Sequence, residues 1–262
     1  MDTFSVAGKD ISTAWLNACR ALQKTANRRA YHTVVRIDNP GEEDLQIRGE
    51  LDRILKAKQL QPIRTVANTI FPTALAKVSR SHDELVRRYH NLYPTLRRTH
   101  PGNAHGTYFG RMVNYPSANG IKDQIGAIIE RLRRESAGRG GKTACYEATI
   151  GEPALDTPDI PVPIRVVGLD NSTMGFPCLS HCSFQLDRNG RIHLMAFYRS
   201  HYMVERAYGN YLGLSDLLAH VATHSRLEIG SITVAAGYAQ LDNNCITALR
   251  PILTGTAPLF AA

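Results

Sequence analysis

The feature that most constrains this chain is Asp187-Arg188-Asn189-Gly190, a turn set between two stretches of alternating apolar residues, Cys182 to Leu186 and Arg191 to Arg199. Asn-Gly tolerates the positive backbone angles that tight hairpin turns demand, so the two stretches are expected to pair as antiparallel strands. A helical pattern over 203 to 224, with Leu212, Leu217, Leu218 and Val221 inward, and a strand over Ile229 to Ala236 follow directly. A hairpin, a long helix and a further strand in succession require helix packed on sheet, an α+β architecture.

The upstream sequence fits that architecture. Ile11, Ala14, Trp15, Ala18 and Leu22 recur at helical spacing within 10 to 30, with Asp10 or Ser12 placed to cap, and Tyr31 to Ile37 reads as a strand. Helices are expected over 43 to 58, 63 to 78 and 83 to 98, and an amphipathic one over Lys122 to Arg134. Thr143 to Ile150 and Pro163 to Val167 read as strands flanking an exposed Pro-rich connection over 151 to 162, while 99 to 120 is a turn-rich, candidate functional loop region. At 262 residues and 43% hydrophobic, with no repeat and no shift in composition, the chain is expected to form a single domain over 1 to 262.

The apolar stretches are interrupted by charges every few residues and no basic leader precedes an apolar block, so no membrane association is expected and the protein is read as soluble and cytoplasmic. In that setting the five scattered cysteines are expected to be reduced. The net charge of +8, from 31 Lys and Arg against 23 Asp and Glu, favours an anionic partner. Without a helix-turn-helix, zinc-finger or aromatic RNA-binding signature, a nucleic acid is not the expected one.

Cys178, His181 and Cys182 admit several readings. A c-type haem attachment needs Cys-x-x-Cys-His, whereas the order here is Cys-x-x-His-Cys. A zinc site would need a second paired ligand spacing, which His193, His201 and Cys145 do not provide, and no metal is expected. Cys178 as a small buried residue stays open. So does Cys178 as a nucleophile, which requires a group favouring the thiolate; the Arg199 guanidinium could do this while gripping a phosphate.

Taken in order, Phe176-Pro177-Cys178, Phe184-Gln185-Leu186, Leu194 to Tyr198-Arg199-Ser200, Asn210-Tyr-Leu-Gly-Leu and Leu227-Glu-Ile-Gly230-Ser-Ile resemble the catalytic half of the thymidylate synthase family. Gly106-Thr-Tyr-Phe-Gly110-Arg111 is similar to that family's Gly-Pro-x-Tyr-Gly segment, and Asp123-Gln124 to its Asn-Gln-Leu helix start. The similarity spans roughly 105 to 242, with a divergent part over about 1 to 100. It implies a thymidylate-synthase-like, mostly antiparallel or mixed sheet packed by helices, and a homodimer formed through the sheet. It also implies that Cys178 adds to C6 of a pyrimidine nucleoside 5′-monophosphate and that C5 is then methylated or hydroxymethylated using 5,10-methylenetetrahydrofolate. Arg199 and Ser200 would hold the phosphate, joined by Arg139 or Lys142 in place of the family's paired arginines. Asn210 would read the base: one amide can donate to O4 and accept from N3–H of uracil, whereas cytosine reverses both requirements.

Other positions depart from the family pattern. The His-x-Tyr pair that grips the sugar falls on Gln240 and Asp242, the acid that polarises the base falls on Asn68, and the Gln before Arg-Ser is Tyr198. The sequence given ends 20 residues after Asp242, where family members continue for several tens, and Ala257 to Ala262 is similar to their apolar tail. These changes tilt the expected product towards hydroxymethyl and admit ribose as the sugar. The alternative is a nucleotide-binding relative that has lost turnover.

Overall fold

A computed structural model describes residues 2–99, 106–117, 120–138, 145–150 and 178–255. The strand expected at Pro163 to Val167, the 151 to 162 connection, Arg139, Lys142 and the 257 to 262 tail lie outside these residues. In chain order the strands are β1 (Ser5–Gly8), β2 (Arg29–Ile37), β3 (Tyr115–Ser117), β4 (Gly120–Lys122), β5 (Glu147–Thr149), β6 (Leu179–Leu186), β7 (Arg191–Tyr202) and β8 (Glu228–Gln240). The helices are α1 (Ile11–Gln23), α2 (Leu45–Ala57), α3 (Ile63–Ile70), α4 (Thr73–Lys77), α5 (His82–Thr99), α6 (Tyr108–Val113), α7 (Gln124–Ser136), α8 (Tyr208–Ser225) and α9 (Ile246–Thr254).

Local chemistry accounts for the element ends. The Asp187 carboxylate accepts the backbone N–H groups of Asn189 and Arg191, each at 2.8 Å, and Gly190 takes φ +78°, which closes the expected hairpin between β6 and β7. Asp10 rather than Ser12 caps α1, accepting from Thr13 N–H at 2.7 Å; Ser12 is buried and bonds the Tyr208 hydroxyl instead. Asp44 and Asp123 cap α2 and α7 in the same way. The helix expected over 63 to 78 is interrupted at Phe71-Pro72, because the residue before proline is driven out of the helical region: Phe71 sits at φ −146°, ψ 124°. A π-helical turn over Met203–Ala207 leads into α8.

The main sheet has six strands in the order β1-β2-β8-β7-β6-β5. It is mixed: β1–β2 and β7–β8 run parallel, and the remaining neighbours antiparallel. The α+β expectation therefore holds as a mixed sheet packed by helices. One face, carrying Val35, Ile37, Cys182, Phe184, Leu194, Ala196, Tyr198, Ile232 and Val234, is buried beneath helices, with α8 packed against it. On the opposite face Met195 and Phe197 are exposed.

α8 is buried along nearly its whole length. Gly209 and Gly213 bring it against α3: a Cβ on Gly209 would lie 2.6 Å from Val66 Cβ, and one on Gly213 2.6 Å from the Ala67 carbonyl oxygen. At its start, Trp15 Nε1–H donates to the Met203 carbonyl at 2.6 Å and the Trp15 ring meets Tyr208 edge-on. No described helix is long and apolar enough to cross a membrane.

Candidate functional site

The sheet brings the start of β6 beside the ends of β7 and β8. Cys178, just before β6, is half-buried, and its carbonyl accepts the Arg199 backbone N–H at 2.8 Å. Ser200 pairs with Tyr238 and Tyr202 with Gln240 along the parallel β7–β8 ladder. Arg199, Ser200, Gln240 and Asp242 therefore share one end of the sheet with Cys178.

Burial raises the Cys178 thiol above its ordinary pKa, while Arg199 and then Arg206 pull it back. Arg199 thus acts in the expected direction but is outweighed by desolvation. The thiol is therefore the predominant form at neutral pH, and an electrophile placed against it would be met by the small thiolate fraction. Burial pushes the pKa of the Tyr108 hydroxyl, on α6, up to about 12, against the opposing pull of the nearby Leu179 and Cys178 backbone. At neutral pH Tyr108 is thus a neutral phenol near the cysteine.

Behind the cysteine stands a buried polar wall. Tyr198 is fully buried and its hydroxyl has no hydrogen-bond partner among the described residues. Burial on β7 alternates through Leu194, Ala196 and Tyr198 and then skips to His201, whose ring stacks on Tyr198 with centroids 4.5 Å apart and planes at 12°. His201 meets Tyr211 edge-on, and its Nε2 lies 3.1 Å from Asn210 Nδ2. His201 and Asn210 are 2% and 4% exposed, and desolvation lowers the His201 pKa to about 3, so the imidazole is neutral.

The other expected residues are placed differently. Asp242 is buried and its carboxylate accepts Val204 N–H at 2.9 Å, anchoring the π-helical turn; burial raises its pKa against the opposing pull of these backbone bonds. Gln240 accepts from the Tyr238 hydroxyl at 2.7 Å. Asn68 is exposed on α3, whose buried residues Ile63, Val66, Ala67 and Ile70 form a different face. His181 and Cys182 diverge across β6: His181 bonds Glu147 at 2.6 Å, while Cys182 is fully buried under the helices. No group of three His, Cys, Asp or Glu side chains among the described residues is placed to hold a metal.

Tyr108 and Arg206 are site residues that sequence reasoning did not single out, and His201 enters it only as a zinc ligand that is set aside. Tyr108 lay inside the recognised Gly106 to Arg111 segment and His201 directly after Arg199-Ser200, so proximity to those motifs was the available signal. A separate open cleft of about 980 Å³ lies at the far end of β6 and β7, lined by Arg133, Arg188, Gly190, Arg226 and Glu228, and contains none of the expected residues. Compared with known proteins, the chain matches no family model and no curated protein.

Proposed function

We propose that the chain is a thymidylate-synthase-like one-carbon transferase acting at C5 of a pyrimidine nucleoside 5′-monophosphate. The observation that carries this reading is one constellation: a half-buried cysteine within the electrostatic reach of Arg199 and of Arg206, the latter paired with Glu205 at 2.8 Å, backed by the buried Tyr198, His201 and Asn210 wall. Two guanidinium groups suit a phosphate dianion. A buried amide suits the hydrogen-bonding edge of a pyrimidine, and a thiol at the junction suits addition to C6.

In this reading the Cys178 thiolate forms a bond to C6, and the C5–C6 π electrons move into the C4 carbonyl as an enolate. The wall then holds the base while C5 becomes nucleophilic. The neutral phenol of Tyr108 lies near Cys178 and lines the pocket beside it. The one-carbon donor, 5,10-methylenetetrahydrofolate, enters as a second substrate and supplies the carbon that C5 takes up; no described residue is assigned to it. Loss of the C5 proton drives release of tetrahydrofolate from the transferred carbon, water adds to the exocyclic methylene so formed to give hydroxymethyl (a hydride from the folate would give methyl), and expulsion of the Cys178 thiolate restores the ring. The altered sugar and acid positions, Gln240, Asp242 and Asn68, favour a hydroxymethyl product over methyl.

The homodimer belongs to the same reading. Met195 and Phe197 are 48% and 44% exposed on the sheet face opposite the described helices, and a second copy packed there would bury them. The substrates proposed are soluble metabolites, in keeping with a cytoplasmic enzyme. A binding protein without turnover is the second reading, favoured by the raised thiol pKa and by the exposure of Asn68.

The test is a covalent trap. Incubation with a 5-fluoropyrimidine nucleoside monophosphate and methylenetetrahydrofolate should add the mass of both to the wild-type chain and to no Cys178→Ser chain. Unchanged mass with both bases and both sugars, despite measurable nucleotide binding, would support the non-catalytic reading. Tritium release from C5-labelled UMP, dUMP, CMP and dCMP then identifies the substrate.

A further inference from the structure

We infer that His201 is a positioning residue that sets the base specificity of the site by fixing which way the Asn210 amide faces; this rests on the nucleotide reading above. The two side chains come from different elements, the end of β7 and the first turn of α8, and both are buried. Asn210 Nδ2 can only donate, so the Nε2 that it approaches at 3.1 Å must be the unprotonated nitrogen of His201, and the ring proton must sit on Nδ1. The ring is not free to turn away, because Tyr198 stacks on one face and Tyr211 packs edge-on. Burial keeps it neutral, which removes the doubly protonated form whose Nε2–H would draw the amide oxygen around.

One amide N–H is thus committed to His201, leaving the other N–H and Oδ1 to face a ligand. With the amide held this way, the remaining N–H donates to O4 of uracil while Oδ1 accepts from N3–H. Cytosine presents an acceptor at N3 and a donor at C4, so it requires the amide turned over. That would set Oδ1 against the Nε2 lone pair in a buried site, two acceptors about 3 Å apart with no proton between them. The opposite pairing is reached only if the amide turns and the imidazole proton moves to Nε2 together. The pair is therefore a two-position device, and the structure holds the uracil position.

The device can be read without any ligand. In ¹⁵N-labelled protein, the His201 ring nitrogens should show Nε2 unprotonated and Nδ1 protonated from pH 5 to 8; a protonated Nε2 would overturn the inference. Affinities for UMP, dUMP, CMP and dCMP then measure specificity. The wild type should prefer the uracil nucleotide by about tenfold, since cytosine requires the amide and the ring proton to switch together at a cost of about one hydrogen bond. His201→Phe keeps the aromatic stack but removes the acceptor, and should bring the ratio to within about threefold by letting the amide turn. His201→Gln, whose amide can present either Oε1 or an N–H to Asn210, should relax the ratio in the same way while keeping a polar partner. A His201→Phe chain that weakens both bases equally, with the ratio unchanged, would show His201 to be purely structural. A wild type that binds no pyrimidine monophosphate would overturn the nucleotide reading and this assignment with it, whatever the ring nitrogens show.

Discussion

The backbone N–H of Arg199 donates to the carbonyl of Cys178 at 2.8 Å. Beyond the start of β6 the ladder pairs His181 with Phe197 and Cys182 with Ala196, a register that, continued straight, would set Cys178 opposite Ser200. An irregularity between Leu179 and His181 shifts the pairing by one residue, so that Leu179 faces Tyr198 and Cys178 faces Arg199. Irregularities of this kind re-aim side chains at sites of function. Here it couples the candidate nucleophile to the residue assigned to phosphate.

Cys178 should react slowly with iodoacetamide at pH 7.5 compared with an unfolded-chain thiol, and its rate should keep rising above pH 9. Burial raises the thiol and only the thiolate is alkylated. Arg199→Ala removes the larger opposing charge and should move the profile to still higher pH. Following the Cys178 peptide by mass spectrometry isolates it from the other cysteines; a profile unmoved by Arg199→Ala would mean that the guanidinium does not act on the thiol.

Acid should destabilise the protein through His201 and His220, both lowered to about 3, chiefly by burial. Below pH 6.5 the unfolded chain binds a proton on each ring that the folded chain refuses until about pH 3. Stability is therefore complete above 6.5 and falls from 6.5 towards 3, by at most about 1.4 kcal/mol per pH unit for each histidine. Between pH 7 and pH 5 the wild type should lose about 2 kcal/mol more than His201→Phe in urea unfolding. Equal losses would place a protonated or solvated His201 in the folded state.

Gly213→Ala should lower thermal stability despite the better helix propensity of alanine. The propensity gain is at most about 1 kcal/mol, whereas a methyl group 2.6 Å from the Ala67 carbonyl oxygen overpacks α8 on α3 at a cost of about 1–3 kcal/mol. Gly209→Ala should do the same and, lying next to Asn210, should also weaken nucleotide binding. A melting temperature equal to or above that of the wild type would show the two helices free to separate.

Placing charges on the open sheet face, Met195→Lys with Phe197→Glu, should convert a dimer to a monomer in light scattering without unfolding it, since both side chains are exposed in the single chain. A wild type that is already monomeric at high micromolar concentration would remove the dimer from the proposal.

Local chemistry made the hairpin, α1, α7 and α8 legible. Asn189-Gly190, the Asp caps and apolar residues at helical spacing act within a few residues of chain, and burial imprints its period directly on such segments. β1, α6 and α9 left too short a pattern to read, and the broken helix at Phe71-Pro72 followed from a restriction that the apolar spacing alone concealed. The resemblance picked out Cys178, Arg199 and Asn210, and the sequence could say that they differ chemically in useful ways.

Only the tertiary structure decided how those residues meet. Pairing β7 with β8 in parallel, shifting Cys178 onto Arg199, burying Asp242 against Val204, leaving Asn68 exposed and setting His201 beside Asn210 all depend on contacts between separate elements. Local propensity carries no information about which distant strand or helix will be the partner. The thiol pKa belongs to the same class: a cation near Cys178 could be guessed from sequence, but the desolvation that outweighs it is a property of the packed protein around it.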